Sequence, residues 1–91
     1  VDMLSALAND TRLQVFRLLV RQGPEGLPAG KISKRLKIPA STLSFHLNHL
    51  AKAALIDSKR ESRLIFYSAK YSNINSLTEY LMENCCKGDL G

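Results

Sequence analysis

Apolar residues recur at helical spacing through the first half of the chain, and the period shortens to two after Leu55. Met3, Leu4 and Leu7 form one stripe, the end of a helix begun upstream. Asn9 is a favoured N-cap and Asp10 places a negative charge in the positive first turn of the next helix. That helix runs to about Arg21, with Leu13, Phe16 and Val20 at helical repeat and Val15 and Leu19 widening the stripe. Gly23-Pro24 and Gly26 break it. Pro28 opens a short third helix from Ala29 to about Leu36, burying Ile32 and Leu36, and Pro39 closes the Lys37-Ile38 connection.

The fourth helix is predicted from Ala40 to Ala53. Steps of about 100° per residue put Leu47 about 40° and Leu50 about 20° from Leu43, so these leucines make a buried seam. The same steps place Ser41, Phe45 and Asn48 on the opposite side, with Thr42 and Ser44 on the flanks. This outer face is small, polar and uncharged in its N-terminal half and carries one aromatic. A purely solvated face is normally richer in Glu and Lys.

Ile56-Asp57-Ser58-Lys59 and Leu64-Ile65-Phe66-Tyr67 flank Arg60-Glu61-Ser62-Arg63 and read as a hairpin. Its turn has no Gly, and a primed turn would put Ser62 at a positive φ, so a longer loop is the alternative. Ser72 or Asn73 is predicted to cap a last helix with Ile74, Leu77 and Leu81 on one face, which Cys85 continues if the helix reaches it. The fold class is mainly α with a two-stranded hairpin, in the order α-α-α-α-β-β-α.

Length changes this picture little: 91 residues make a single domain, residues 1–91, with one modest core. Two-domain enzymes and (β/α) barrels are excluded. Apolar content of 45% and charged content of 23% are ordinary for a globular chain. No apolar run approaches the ~18–20 residues of a membrane span, and no signal-peptide pattern is present. Thirteen Lys and Arg against eight Asp and Glu leave +5, which favours a polyanionic partner. Two adjacent cysteines do not build a disulfide framework, so a reducing, cytoplasmic location is expected. The first residue is Val1, and a fragment of a longer protein is expected.

Two short helices joined by a tight turn and followed by a hairpin give the winged helix-turn-helix order. The second helix of such a pair enters the major groove, about 12 Å wide, where small side chains reach base edges. Ser41, Thr42, Ser44 and Asn48 supply donors and acceptors there. Lys59, Arg60 and Arg63 at the hairpin tip suit phosphate or minor-groove contact. Lys31, Lys34, Arg35 and Lys37 decorate the preceding helix. One duplex could touch all three groups.

Asn9-Asp10-Thr11-Arg12-Leu13, Ser41 to Leu50, Ala54-Leu55-Ile56 and Arg60-Glu61-Ser62-Arg63 closely resemble the ArsR/SmtB family of homodimeric bacterial winged-helix repressors that sense metals or metalloids. The resemblance spans Leu4 to about Leu81. It implies a repressor of double-stranded operator DNA that releases its site when an inducer binds. It places Ala40, Ser41, Ser44 and Phe45 where relatives contact bases, although many relatives carry Gln for Ala40 and His for Phe45. It also implies that the first and last helices, with Met3, Leu4, Leu7, Leu77 and Leu81, form the homodimer interface. Such a dimer reads an inverted repeat with half-sites about 34–36 Å apart.

Cys85 and Cys86 are the chain's thiols. Adjacent Cα atoms lie about 3.8 Å apart, below the ~4.4–6.8 Å of a relaxed disulfide. Structural zinc wants about four ligands. The two histidines, His46 and His49, lie far along the chain, with His46 read as a hydrogen-bonded structural residue and His49 as a surface or phosphate-near one. Thiol-selective ions fit better, with arsenic(III) or antimony(III) as inducer on Cys85 and Cys86. No other cofactor is expected. Trivalent arsenic takes three thiolates, so either a third comes from the partner protomer or from beyond Gly91, or the pair is not the sensor. The family's Cys-x-Cys arsenic site falls on Pro28 and Gly30 here, and its last-helix zinc site lacks a His, so neither is expected. The alternatives are a repressor of the same fold that senses thiol oxidation or another ligand, and a winged-helix protein-interaction module. A thiol enzyme would need a base beside its nucleophile, and neither histidine lies near the cysteines in sequence.

Overall fold

The computed structural model describes residues 1–88. Eight elements follow in order: α1 (Asp2–Leu7), α2 (Asp10–Gln22), β1 (Leu27–Pro28), α3 (Ala29–Leu36), α4 (Ala40–Lys52), β2 (Ile56–Glu61), β3 (Leu64–Ala69) and α5 (Tyr71–Met82). The winged helix-turn-helix class expected from the sequence holds, with one strand added. The expected two-stranded hairpin is a three-stranded antiparallel sheet of order β1-β3-β2. Leu27 pairs with Tyr67 and Pro28 with Phe66. A two-residue strand has no period to detect, and Pro28 lacks an amide donor, which suits an edge. Gly26 makes the approach possible at φ +72, because an added Cβ would collide with the Tyr67 carbonyl. Gly26→Ala is expected to cost about 2–3 kcal/mol and lower the melting temperature by roughly 10–20 °C, read by thermal unfolding.

One contiguous core gathers Val15, Leu18 and Leu19 of α2, Ile32 of α3, Leu43, Leu47 and Leu50 of α4, and Leu55 and Ile56 beyond it. The leucine seam of α4 is buried as its spacing requires, and His46 joins it. In α2 the buried face is turned from the expected one. Leu13 and Val20 remain 39% and 37% exposed, while Arg12, Val15, Phe16, Leu18 and Leu19 are buried. The reason is Arg12, whose guanidinium finds acceptors inside and draws its side of the helix inward. Asn9 caps α2 as expected, its side chain accepting the Arg12 amide at 2.9 Å.

The α3–α4 turn closes through Lys37 in the left-handed region at φ +57, with the Ser33 hydroxyl donating to the Ile38 carbonyl and Ile38 buried beneath. The hairpin is tighter than the longer loop considered above. Glu61 pairs with Leu64, leaving only Ser62 and Arg63 in the loop, and Ser62 accepts the positive φ of +57. Positive φ at the first loop position alone is the II′ pattern, whose twist matches the flanking strands.

The last helix starts earlier than expected. Lys70 is its N-cap and neither Ser72 nor Asn73 caps it. Asn73 instead donates from Nδ2 to the Ala54 carbonyl at 2.7 Å, and the Tyr71 hydroxyl donates to the Val20 carbonyl at 2.9 Å. These ties hold the start of α5 to the domain, while Tyr80, Leu81 and Met82 are 71%, 56% and 59% exposed. The helix ends at Met82, so Cys85 does not continue the Leu77 face. Glu83 turns extended and Asn84, which tolerates the left-handed region, takes φ +63. Among the described residues, no helix is long and apolar enough to cross a membrane.

Candidate nucleic-acid interface

Burying Leu43, Leu47 and Leu50 fixes the roll of α4 and therefore what it presents outward. Ala40, Ser41, Thr42, Ser44, Phe45 and Asn48 are all exposed, and Phe45 stands 63% exposed. Neither a side-chain cap nor an acidic residue occupies the first turn of α4. Its free amides and positive dipole end therefore favour a phosphate or other anion. Gly30 and Ser33 of α3, Ala40 and Ser44 of α4 and Tyr67 of β3 line one groove, so both helices and the sheet meet at the reading end of α4.

The basic groups expected around this face are solvent-exposed. Lys31, Lys34, Arg35 and Lys37 lie on or just after α3, and Arg60 and Arg63 lie at the hairpin tip. Lys59 also lies on the hairpin, but its Nζ sits 3.5 Å from a Glu61 carboxylate oxygen. A phosphate reached by Lys59 would have to displace Glu61. Both side chains are largely exposed, so the pair is held weakly.

Phe45 is not isolated on the surface. Its ring meets the His46 ring edge-to-face at 5.4 Å and the His49 ring at 6.1 Å between centroids. His46 is buried, and its Nδ1 lies 3.3 Å from Arg12 Nη1, which agrees with a hydrogen-bonded structural histidine. Burial lowers its pKa from the ordinary value near 6.5, and the Arg12 cation and then His49 push the same way. His49 is half-buried beside Asp2, Ser5 and Lys52. Sequence reading gave Arg12 no role of its own. The signal was present: at i, i+3, i+4 and i+7, Arg12 falls in line with Val15, Phe16 and Leu19.

Cys85 and Cys86 lie past the end of α5, both exposed and both free thiols. Their Sγ atoms approach to 2.8 Å, with Cys86 at φ +67. Neighbouring thiols diverge by about 100° on a regular helix, so termination of α5 is what lets these two converge. The hydrogen bond to Cys86 raises the Cys85 pKa, with a smaller push from desolvation. Among the described residues, no group of three or more His, Cys, Asp or Glu side chains could hold a metal ion.

A helix pair with an uncharged polar reading face and a basic wing beside it defines a winged helix-turn-helix DNA-binding domain. Residues 7–59 match a helix-turn-helix domain family. The transcriptional activator HlyU of Vibrio cholerae is 30% identical over 98% of this chain and 80% of its own length. An ArsR-like transcriptional regulator from Rhodococcus sp. RHA1 superposes with a TM-score of 0.79 at 26% identity, covering 88% of this chain and 73% of that one. The homodimeric winged helix-turn-helix DNA-binding domain Mb0332 from Mycobacterium bovis superposes with a TM-score of 0.69 at 25% identity, covering 89% of this chain and 80% of that one. The chain belongs to the ArsR/HlyU family of transcriptional regulators.

Proposed function

We propose that two copies of the chain pair through α1 and α5 and repress transcription by holding an inverted-repeat operator, which they release when trivalent arsenic or antimony binds Cys85 and Cys86. The outward face of α4 carries the DNA half of this reading. Ser41, Thr42, Ser44 and Asn48 offer uncharged donors and acceptors to base edges, and Phe45 offers apolar contact to a thymine methyl. Lys59, Arg60 and Arg63 on the wing supply phosphate contacts. Pairing is supported by the uncovered apolar end of α5 and by Leu4, 43% exposed on α1. Mb0332, of the same fold, is a homodimer. In such a dimer each recognition helix takes one half-site.

The converged Sγ atoms of Cys85 and Cys86 support the inducer half. Two thiols are held side by side to become two ligands, and a third would come from the partner protomer or from beyond Gly91. The ligand form is thiolate, and each thiol proton leaves with an arsenite hydroxyl, so three thiols and As(OH)3 give the tris-thiolate and three waters with no net release of protons. The pair sits at the end of a helix assigned to pairing, so closing it around one ion shifts the spacing of the reading helices instead of blocking them. A coupling of about 1–3 kcal/mol would lower operator affinity about 5–150-fold. The 2.8 Å approach favours one rival, sensing of an oxidant by the same two thiols.

Release of a selected duplex by arsenite, followed by fluorescence anisotropy under reducing conditions, tests this reading. Cys85→Ser and Cys86→Ser are each expected to bind DNA as the parent does and to ignore arsenite. A double serine variant that still leaves the duplex at the parent's arsenite concentration would place the sensor elsewhere. Response to peroxide alone would favour the oxidant reading.

A further inference from the structure

Among the described residues, Arg12 is a buried cation without a carboxylate. It is 7% exposed, and the ion pairs among the described residues, Lys59–Glu61 and Lys70–Asp57, lie elsewhere. A charge in such a place persists only where strong acceptors replace its water. Two do so here. Nε donates to the Ala6 carbonyl at 2.5 Å, and Nη1 lies 3.3 Å from His46 Nδ1. Ala6 is fully buried near the end of α1, and His46 sits in the middle of α4. One guanidinium on α2 thus joins the helix assigned to pairing to the helix assigned to reading.

His46 serves as acceptor only while Nδ1 keeps its lone pair, so its proton belongs on Nε2. A second proton turns the acceptor into a donor and sets an imidazolium against the guanidinium. We propose that Arg12 and His46 form a proton-sensitive joint between α1 and α4, which aligns the recognition helix for duplex binding when His46 is neutral and lets it go when His46 is charged. The inference rests on the reading above that α4 contacts DNA.

The charges acting on His46 are few. Arg12 faces it from α2, and His49 lies one turn further along α4. From α1 it is the Ala6 carbonyl that reaches Arg12, while Asp2 lies across a cleft beside His49 and Lys52. Burial, Arg12 and His49 all oppose a proton on His46. Its folded pKa therefore lies below the unfolded value near 6.5. The joint's stabilisation is complete above that unfolded value and is lost as pH falls through the folded one. Movement of His46 reaches the surface through Phe45, whose ring packs against it at 5.4 Å.

Arg12 and His46 are positioning residues, so the test reads pH dependence. The whole chain selects a duplex from a random pool at pH 7.5, and its affinity is followed by fluorescence anisotropy to pH 5.5 at fixed salt. The parent is expected to lose affinity progressively as pH falls below 6.5. Phosphate contact alone predicts the opposite trend, because histidines gain positive charge on acidification. His46→Asn retains an acceptor oxygen near the place of Nδ1 and cannot be protonated there. It is expected to match the parent at pH 7.5 and to stay flat, while His49→Gln keeps the drop. A parallel drop in His46→Asn and the parent would overturn the proposal.

A second measurement needs neither DNA nor that variant. In a nuclear magnetic resonance titration of the parent, the Leu7 and Ala8 amides, next to the bonded Ala6 carbonyl, are expected to shift with the His46 imidazole. Amides that ignore His46 would sink the joint even if DNA binds. Coupled amides with pH-independent duplex affinity would sink its effect on reading. Coupled amides in a chain that selects no duplex would instead overturn the DNA reading of α4.

Discussion

Ser44→Glu is expected to lower affinity for a selected duplex more than about a hundredfold and to erase most of its preference over random sequence. Ser44 is exposed on α4 and lines the groove where α3, α4 and the sheet meet. A carboxylate there would remove the proposed base-edge contact, worth about 1–3 kcal/mol. It also brings like charge to the phosphates, at a cost of several kcal/mol when groups are pressed together. A total near 3 kcal/mol corresponds to roughly 150-fold. The side chain points to solvent, so melting temperature should scarcely move. Arg63→Ala should behave differently, weakening all duplexes alike and lowering the salt slope by about 1. Anisotropy titrations against selected and scrambled duplexes at several salt concentrations separate the two. If Ser44→Glu retains its preference, α4 does not read bases.

Leu81→Glu is expected to convert the proposed dimer into a monomer and to reduce affinity for the proposed operator by about two to four powers of ten. Leu81 and its neighbours Tyr80 and Met82 are exposed at the end of a helix with no buried residue of its own. Covering a leucine contributes about 1.5–3 kcal/mol, and a two-fold interface counts every such residue twice. Separate domains lose the effective concentration that links one half-site to the next. Sedimentation equilibrium gives the mass, and binding to a single half-site should match the parent's. A parent chain that remains monomeric while binding the full operator would overturn the assigned interface.

Sequence spacing revealed what is local. Leu43, Leu47 and Leu50 lie within two turns of one helix, so helical arithmetic alone faces Ser41, Phe45 and Asn48 outward, with Ser44 on the flank. The capping of α2 by Asn9 is equally local, completed three residues away. What escaped depends on distant partners. The roll of α2 follows from Arg12 reaching His46, 34 residues further on, and a charged residue is not counted in an apolar stripe. Strand β1 exists only because Tyr67 and Phe66 are brought beside Leu27 and Pro28. At Ser62 the steric objection to positive φ was sound, but strand pairing out to Glu61 and Leu64 outweighs a cost of about 1–2 kcal/mol. The pairing of Cys85 with Cys86 depended on where α5 stops, and helix ends are the least legible feature of a sequence.

The short β1 strand has a mechanical consequence. It clamps β3 at Phe66 and Tyr67, midway along the strand, and leaves the last rungs before the turn, Arg60↔Ile65 and Glu61↔Leu64, held by the β2–β3 pairing alone. The wing is a cantilever, stiff at its base and compliant at its tip. Arg60 and Arg63 ride on the compliant end, so in the proposed complex they can follow phosphates through a range of groove widths while α4 stays fixed. Reading and gripping are thereby assigned different stiffnesses within one small fold.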